Sequence, residues 1–570
     1  MSWRSKTYDE LPALSVRGPE LRRNMRIVTV AWMYGVVWFA IVNSSPVQVF
    51  AKTIGFSSLE FGLMAAIPFV ATFTQLLAAV IIERTGLRKY QFIHCGTIHR
   101  LMWIPIPIVA LILPWGEKLT IYLILGLLLL SWLLESIARP AWLTWMGDLI
   151  PRRIRGRYFA FRTRMSQLVM IITIVVIGLL LDHNWKIVST VAGWVGQHMP
   201  PVDQASDDAK TRVTMYVVCG LFMVAALFGV RDIIGFRRVR DVLPPRKTPA
   251  PIAPQRRFFP YLKYMLYDPL KERVFRHYVA YAATMAMSIT FSGMFFWQHS
   301  MNHGQGLGFN QLAVNLLFMV IPPLADMAAS PVWGRLIDRF GRRPILMIAT
   351  VGASLSLLPW LFVRPDTPCP GFVAWIVEAV AGEIDPAWPV GAYFYVACAW
   401  VVSGASWSGV NLAQLGVMLS FSDGQGRSRM VAAGGVLVAM FGALGGYLGG
   451  VAAQVFGDGK HILLDYGPML WTSFHITFIV SIVVRLLAIV WLIGMPDPHA
   501  RSVRALLSAF NNTVFNAVRS RAVLSLHVFG WGKSAEDKNE SEDSDGQKDE
   551  PEKPPRDDQP PGGARDRGQD

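Results

Sequence analysis

The chain alternates between long apolar runs and short polar segments, and this pattern predicts its architecture. A helix that crosses a bilayer needs about 20 apolar residues, and the chain contains twelve such runs. Because they lack the two-residue alternation of barrel strands, we expect helices. The predicted spans are 25–50, 59–82, 90–114, 119–146, 160–182 and 213–231 in the first half, and 277–299, 311–333, 344–363, 392–417, 430–455 and 471–494 in the second half.

Lysine and arginine are concentrated in every second connection between these spans. The basic connections contain Arg88 and Lys89, Arg152 to Arg157, Arg237 to Arg257, Arg339 to Arg343, and Arg427 with Arg429. Basic residues accumulate on the cytoplasmic side of a membrane. We therefore predict a multi-pass protein of the plasma (inner) membrane with both termini in the cytoplasm.

The remaining segments complete the predicted organisation. They are a cytoplasmic tail (1–24), a first bundle (25–231), a cytoplasmic linker (232–276), a second bundle (277–494), an amphipathic cytoplasmic segment (495–533) and a disordered acidic tail (534–570). Within them, 258–272 and 501–528 have the composition of helices that lie on a membrane surface.

Two connections on the outer side are long, 183–212 and 364–391, and both carry tryptophan. Tryptophan is enriched at membrane interfaces, so we expect inert interfacial loops. A lid over a substrate is the alternative.

Composition narrows the class of protein further. Only 16% of the residues are charged, whereas soluble domains carry about 25%. The net charge of +15 follows the loops of one side, which argues against a nucleic-acid partner. The four cysteines have neither metal-site nor disulfide spacing. With no nucleotide-binding loop and no nucleophile motif, we predict no enzyme activity, no metal and no cofactor.

One polar stretch between the eighth and ninth spans has a distinctive pattern. Its patterned residues are Gly334, Asp338, Arg339, Gly341, Arg342 and Arg343, which form G-x-x-x-D-R-x-G-R-R. A weaker copy in the first half has Glu83, Arg84 and Gly86 but replaces the first glycine with Ala79. Two copies in two halves indicate an internal repeat.

Two more stretches are repeat partners of each other. Asp148 is followed by Arg155 and Arg157 before the fifth span, and Arg427 and Arg429 precede the eleventh. Together with the signature, they resemble the loops of the major facilitator superfamily of secondary transporters, over roughly residues 25–495. The resemblance implies an all-α membrane protein with twelve transmembrane helices in two pseudo-symmetric six-helix bundles. It also implies a central cavity lined by spans one, four, seven and ten.

The resemblance further implies a cytoplasmic gate. Asp338 is expected near the start of the fifth span (Gly156, Arg157), and Glu83 near the start of the eleventh (Arg427, Arg429). A carboxylate near a helix N-terminus is stabilised by about 0.3–1 kcal/mol. The alternative is a carboxylate that pairs only with arginines of its own loop.

Charged residues inside spans are costly and mark either function or a buried pair. Glu135 and Arg139 lie one turn apart in span four, and Arg100 in span three reaches a similar depth, so Glu135 and Arg100 could form an ion pair. A role in substrate binding or proton transfer is the alternative. Asp326 in span eight has the same two interpretations.

Uncharged polar and aromatic residues are further candidates for the cavity wall. They are Tyr34, Trp38 and Asn43 in span one, Gln298 in span seven, and Trp407, Asn411 and Gln414 in span ten. Aromatic faces with amides suit a neutral organic solute such as a sugar, although packing or an interfacial position explains single tryptophans as well.

These observations predict a monomeric secondary active or facilitative transporter that moves a small organic solute, such as a sugar or a drug-like molecule, by alternating access. A proton or a sodium ion is the expected coupling ion, or the solute moves down its own gradient. The alternative is a membrane sensor or scaffold with the same fold that signals through its cytoplasmic tail without transport.

Overall fold

The computed structural model describes residues 18–75, 78, 87–194, 199–200, 204–241, 267–381, 388–420, 426–466, 469–497 and 500. The surface helix predicted at 258–272 lies outside these residues up to 266, and the segments predicted at 501–528 and 534–570 lie outside them entirely.

The first half consists of helices that follow the predicted spans. They are α1 (Gly18–Val42), α2 (Ser45–Ile54), α3 (Ser58–Ala71), α4 (Arg88–Leu101), α5 (Pro105–Ile112), α6 (Lys118–Leu149), α7 (Arg152–Asp182), α8 (Asn184–Trp194) and α9 (Asp207–Gly235). The first and third spans are each interrupted. Pro46 stands in the first turn of α2 and Pro105 in the first turn of α5. The N–H groups of a first turn have no partner within the helix, so proline, which lacks an N–H, costs no hydrogen bond there.

The second half repeats this plan. Its elements are α10 (Arg273–Met301), α11 (Gln311–Met319), α12 (Ile321–Phe340), α13 (Arg342–Leu355), α14 (Gly371–Ala381), α15 (Val390–Ser420), α16 (Gly426–Val455), β1 (Ile462–Tyr466), β2 (Met469–Thr472) and α17 (Ser473–Ile493). The antiparallel hairpin β1–β2 was not predicted. The outer connections expected as loops contain α8 and α14.

The predicted fold class is confirmed: the chain forms a helical membrane bundle of two pseudo-symmetric halves. Among the described residues, eleven helical segments are long and apolar enough to cross a membrane. The shorter apolar helix α3 occupies the position of the second predicted span. The sixth span was predicted to end at 231, whereas α9 continues to Gly235, and this difference brings one more carboxylate, Asp232, into the bundle.

The two halves pack against each other through two equivalent pairs of helices. Helix α3, the second span, contacts α16, the eleventh span, and α7, the fifth, contacts α11, which begins the eighth. These contacts join the start of one helix to the end of the other. They lie at the end of the bundle that carries the connections 183–206, 302–310 and 456–472, which we call the loop end. The opposite end, with Arg88 and Gly341 to Arg343, is the arginine-rich end.

Two rows of glycine allow α16 to lie close to its neighbours. Gly446 and Gly450 face α3, where a Cβ on either would come within about 3 Å of the α3 backbone, around Ser58 and Gly62. Gly445 and Gly449 face α10 in the same way, against the carbonyls of Met287 and Phe291. Small residues at such contacts let helix backbones approach each other within a membrane.

We predict that Gly450→Leu destabilises the closed arrangement of the halves, because the added side chain has no space against α3. Overpacking of this kind costs about 1–3 kcal/mol. The midpoint of thermal unfolding in detergent should fall below that of the control Gly435→Leu, since nothing lies within 4 Å of a Cβ on Gly435. Equal midpoints for the two variants would contradict the packing argument.

Candidate functional site

A buried ion pair joins α4 and α9 within the first half. Arg100 Nη2 lies 3.5 Å from Asp232 Oδ2, and the two side chains are 6% and 2% exposed. The guanidinium carbon of Arg100 lies 3.4 Å from the centroid of the Trp38 ring. Gly35 and Gly229 leave room for this cluster, because a Cβ on Gly35 would collide with the Asp232 carboxylate and one on Gly229 with the Arg100 side chain.

Glu135 has different partners from the one expected. Its carboxylate lies 3.6 Å from His99 Nε2 and 3.5 Å from Arg139 Nε, so the pairing with Arg100 proposed from depth alone is wrong. Consecutive residues of a helix point about 100° apart. His99 therefore faces α6, where its Nδ1 lies 2.8 Å from the Ser131 carbonyl, while Arg100 faces α9.

The Glu135–Arg139 pair is accessible, unlike the Arg100–Asp232 pair. The Glu135 side chain is 24% exposed and the Arg139 side chain 54% exposed.

Arg162 of α7, which was not among the predicted site residues, lies between the rings of Trp32 and Trp142, 4.7 and 5.0 Å from their centroids. Arginine on an aromatic face is a cation–π contact, so the two tryptophan rings stabilise the charge of Arg162.

The second half contains a cavity of about 240 Å³ between α10, α11, the segment that follows α13, α15 and α17. Aromatic residues form much of its wall, including Trp407, one of the predicted cavity residues. Arg485 of α17 also lines it and is 4% exposed. Its Nε donates to Ser288 Oγ (3.1 Å) and its Nη1 donates to the Ala353 carbonyl (2.9 Å). Arg485 was not among the predicted site residues, although a lone arginine within an apolar span marks a candidate site.

Buried polar contacts join the halves at the loop end. Asn315 accepts a hydrogen bond from Ser45 N (3.0 Å) and donates one to Ser45 Oγ (2.9 Å). Gln298, predicted as a cavity residue, donates to Gln48 Oε1 (3.2 Å). Gln298 therefore joins the two halves at the loop end.

At the loop end, two carboxylates also cap the starts of helices that belong to the other half. Asp182, the last residue of α7, accepts hydrogen bonds from the first two N–H groups of α11, Gln311 N (2.7 Å) and Leu312 N (3.0 Å). Asp458, just after α16, accepts one from Ser58 N (3.0 Å), the first N–H of α3. Asp458 has φ of 54° between Gly457 and Gly459, which also have positive φ. The two caps occupy equivalent positions in the two halves.

The other predicted cavity residues lie apart from one another. The Tyr34 ring packs against Phe228, and Asn43 donates to the Phe39 carbonyl of its own helix (3.0 Å). Gln414 is hydrogen bonded to the Tyr281 hydroxyl. Asn411 is exposed and Asp326 is half-buried. The structure therefore does not gather these residues into one site.

The signature turn is fixed by its own half. Gly341 has φ of 88°, and the backbone N–H groups of Arg342 and Arg343 both donate to Asp497 Oδ2 (3.0 Å each). The Arg339 guanidinium lies over the Phe340 ring. A Cβ on Gly334 would meet nothing within 4 Å.

The predicted gate partners fall largely outside what the structure describes. Glu83, Arg84 and Gly86 are outside it, as are the side chains of Asp148, Arg155, Arg157, Arg427 and Arg429. The cytoplasmic gate therefore stays a prediction. No group of three or more His, Cys, Asp or Glu within the described ranges is arranged to hold a metal ion.

Comparison with known proteins identifies the class. The family model of the Major Facilitator Superfamily matches residues 27–382, which is more than half of the chain. The chain belongs to this superfamily of membrane transporters. A search of curated protein sequences gives no significant match.

Solved structures show the same fold. The crystal structure of a POT family transporter in complex with 5-aminolevulinic acid superposes with a TM-score of 0.55 and 11% identity, covering 86% of this chain and 100% of that one. A bacterial homologue of the human lysosomal transporter Spinster gives 0.54 and 13%, covering 84% and 98%. The nucleoside transporter NupG gives 0.52 and 12%, covering 83% and 98%.

We predict that Asp232→Leu destabilises the protein strongly, because it leaves the charge of Arg100 buried and unpaired. Breaking a buried pair costs about 3–5 kcal/mol, whereas replacing both partners with apolar residues is often neutral. The double variant Arg100→Met/Asp232→Leu should therefore recover most of the thermal stability and yield in membranes that the single variant loses. If the double variant were no more stable than Asp232→Leu, the pair would not be the structural unit described above.

Proposed function

We propose that the protein is a secondary transporter that moves a small organic solute across the plasma (inner) membrane by alternating access. The chain is expected to act as a monomer. Both of its termini are expected in the cytoplasm, since its arginine-rich turns follow the positive-inside rule. The observation that carries the proposal is that, among the described residues, the hydrogen bonds between the two similar halves lie at the loop end, between helix ends.

The contacts at the loop end are suited to reversible closure. The Asp182 and Asp458 caps each use one carboxylate on the free N–H groups of a helix start. Replacing such a cap typically costs about 1 kcal/mol, and the helix dipole adds about 0.3–1 kcal/mol. Contacts of this size can hold the loop end closed without preventing it from opening.

The resemblance to the superfamily motivates a second set of contacts at the arginine-rich end, where the predicted partners of Asp338 lie outside what the structure describes. We propose that Asp338 and Glu83 pair with the starts of α7 and α16 in the opposite state, when the loop end is open.

We predict that the double variant Asp182→Asn/Asp458→Asn opens the loop end more often, because an amide caps a helix but carries no negative charge to interact with the helix dipole. Ser44 is 1% exposed and precedes the Ser45–Asn315 contact. In a background without native cysteines, Ser44→Cys should react several-fold faster with a membrane-impermeant maleimide applied from outside intact cells when both caps are changed.

Two controls accompany this measurement. Lys186→Cys, at an exposed loop-end position, should react from outside in every background and so reports which side the loop end faces. Asp207→Asn changes a fully exposed carboxylate at the same end and should leave Ser44→Cys slow. Unchanged labelling of Ser44→Cys in the cap variant would contradict the proposed closure.

Proton coupling is the second part of the proposal, and the accessible Glu135 with the half-buried Asp326 supports it. Thermal-shift screening of the purified protein against sugars, peptides, organic acids and drugs would first supply a transported solute. Glu135→Gln/Asp326→Asn should then abolish uptake driven by a pH gradient in proteoliposomes while leaving solute exchange measurable, because exchange needs no net proton movement.

The outcomes separate the alternatives. Uptake that still follows the pH gradient in this variant contradicts coupling through these carboxylates, and dependence on sodium instead of pH identifies the other candidate ion. Deletion of residues 534–570 is the control for the sensor alternative, because a transporter should keep its flux without the acidic tail.

A further inference from the structure

We propose that the cavity around Arg485 binds a small monocarboxylate with an aromatic ring. This inference rests on the proposed transport function and names its substrate class. The similar structures do not share a solute, since they include a nucleoside transporter and a complex with 5-aminolevulinic acid. The residues of this chain are therefore the basis for its substrate class.

The first step is the charge of Arg485. A guanidinium has five N–H donors, and the described contacts of Arg485, to Ser288 and Ala353, use two of them. No carboxylate of a described residue forms an ion pair with it, in contrast to Arg100 and Asp232. A buried charge is costly unless it is paired, so an anionic ligand would supply the missing partner.

The second step is the kind of hydrogen bond that remains unmade. The Nε1–H of Trp400, which also lines the cavity, is buried without a partner in the described structure. Arginine and tryptophan side chains only donate hydrogen bonds. A carboxylate only accepts them, whereas a sugar presents as many donors as acceptors. The cavity therefore favours an acid over the neutral sugar that the sequence suggested.

The third step is the shape and size of the cavity. Phe296 and Trp360 meet edge to face with centroids 4.9 Å apart, and Phe318 lies 5.8 Å from Trp360. Aromatic walls of this kind pack against a ring. The cavity volume of about 240 Å³ is far above the roughly 10–15 Å³ that a cavity needs to hold a single water molecule. One ring with one carboxylate fits this space.

Gly293 of α10 is a position at which the cavity can be made smaller. It lines the cavity, and a Cβ at this position would meet nothing within 4 Å. A large side chain there would occupy part of the cavity. Gly220 on α9 likewise has open space but is exposed on the outside of the bundle, so it provides a matched control.

Binding to the full-length protein in nanodiscs tests the proposal directly. Benzoate, phenylacetate and indole-3-acetate would each be compared with the corresponding neutral amide by calorimetry and thermal shift. At least one acid should bind, more than tenfold tighter than its amide. Arg485→Gln should remove that preference, Arg485→Lys should retain part of it, and Arg276→Gln, an exposed arginine of α10, should leave it unchanged.

Gly293→Leu keeps the test decisive if Arg485→Gln does not fold. It should weaken acid binding at least tenfold, whereas Gly220→Leu should not. Equal binding of acids and amides, no binding of any acid, or binding that survives Gly293→Leu would each overturn the proposal.

Flux measurements distinguish this inference from the transport proposal. Acid binding without acid flux would support the site and contradict transport of its ligand. Flux of another solute without acid binding would support transport and contradict the site.

Discussion

The close contact of α16 with α3 and α10 is the constraint on which the rest of the structure depends. Gly446 and Gly450 bring α16 against the other half, and Gly445 and Gly449 bring it against its own half. Since lipid tails are as apolar as the helix surfaces, packing and not the hydrophobic effect drives such association. A contact between bare backbones has few interlocking side chains, and the proposed separation of two intact halves requires a contact of this kind.

Each half buries an arginine in the interior of a spanning helix, and these two are accommodated in different ways. Arg100 has a carboxylate partner, an aromatic face and two glycines that fit its shape. Arg485 has an open cavity, a ring at 5.8 Å and hydrogen bonds to neutral oxygens only. Arg100 has its charge partner within the protein and needs no ligand. Arg485 has N–H donors that no described residue uses, and this difference is the reason to propose a binding site in the second half.

The sequence was sufficient to predict the helices but not their partners. Apolar runs of spanning length predict the spans because the membrane imposes that length on any helix, and proline marks the breaks at Pro46 and Pro105. The partner of Arg100 could not be predicted, because Asp232 is 132 residues away and seemed to follow the last apolar turn. Glu135 at a similar depth looked equivalent until the direction of each side chain around α4 was known.

The candidate site was less predictable for a related reason. Trp407 and Gln298 were selected as cavity residues from their spans alone, yet Trp407 lines the cavity and Gln298 closes the loop end. Helix α10 links these two places. Gly293 borders the cavity, while Met294 and Gln298, within the next turn and a half, both contact Gln48 of the other half.

Helix α10 also packs against Gly445 and Gly449 of α16. Shortly after α16, Asp458 caps the start of α3. A solute that moves α10 would therefore act on both sets of contacts that close the loop end. A ligand shifts such an equilibrium only if it binds the two states with different affinity. A cavity wall that is also part of the closure satisfies that requirement, because opening the loop end would change the shape of the site.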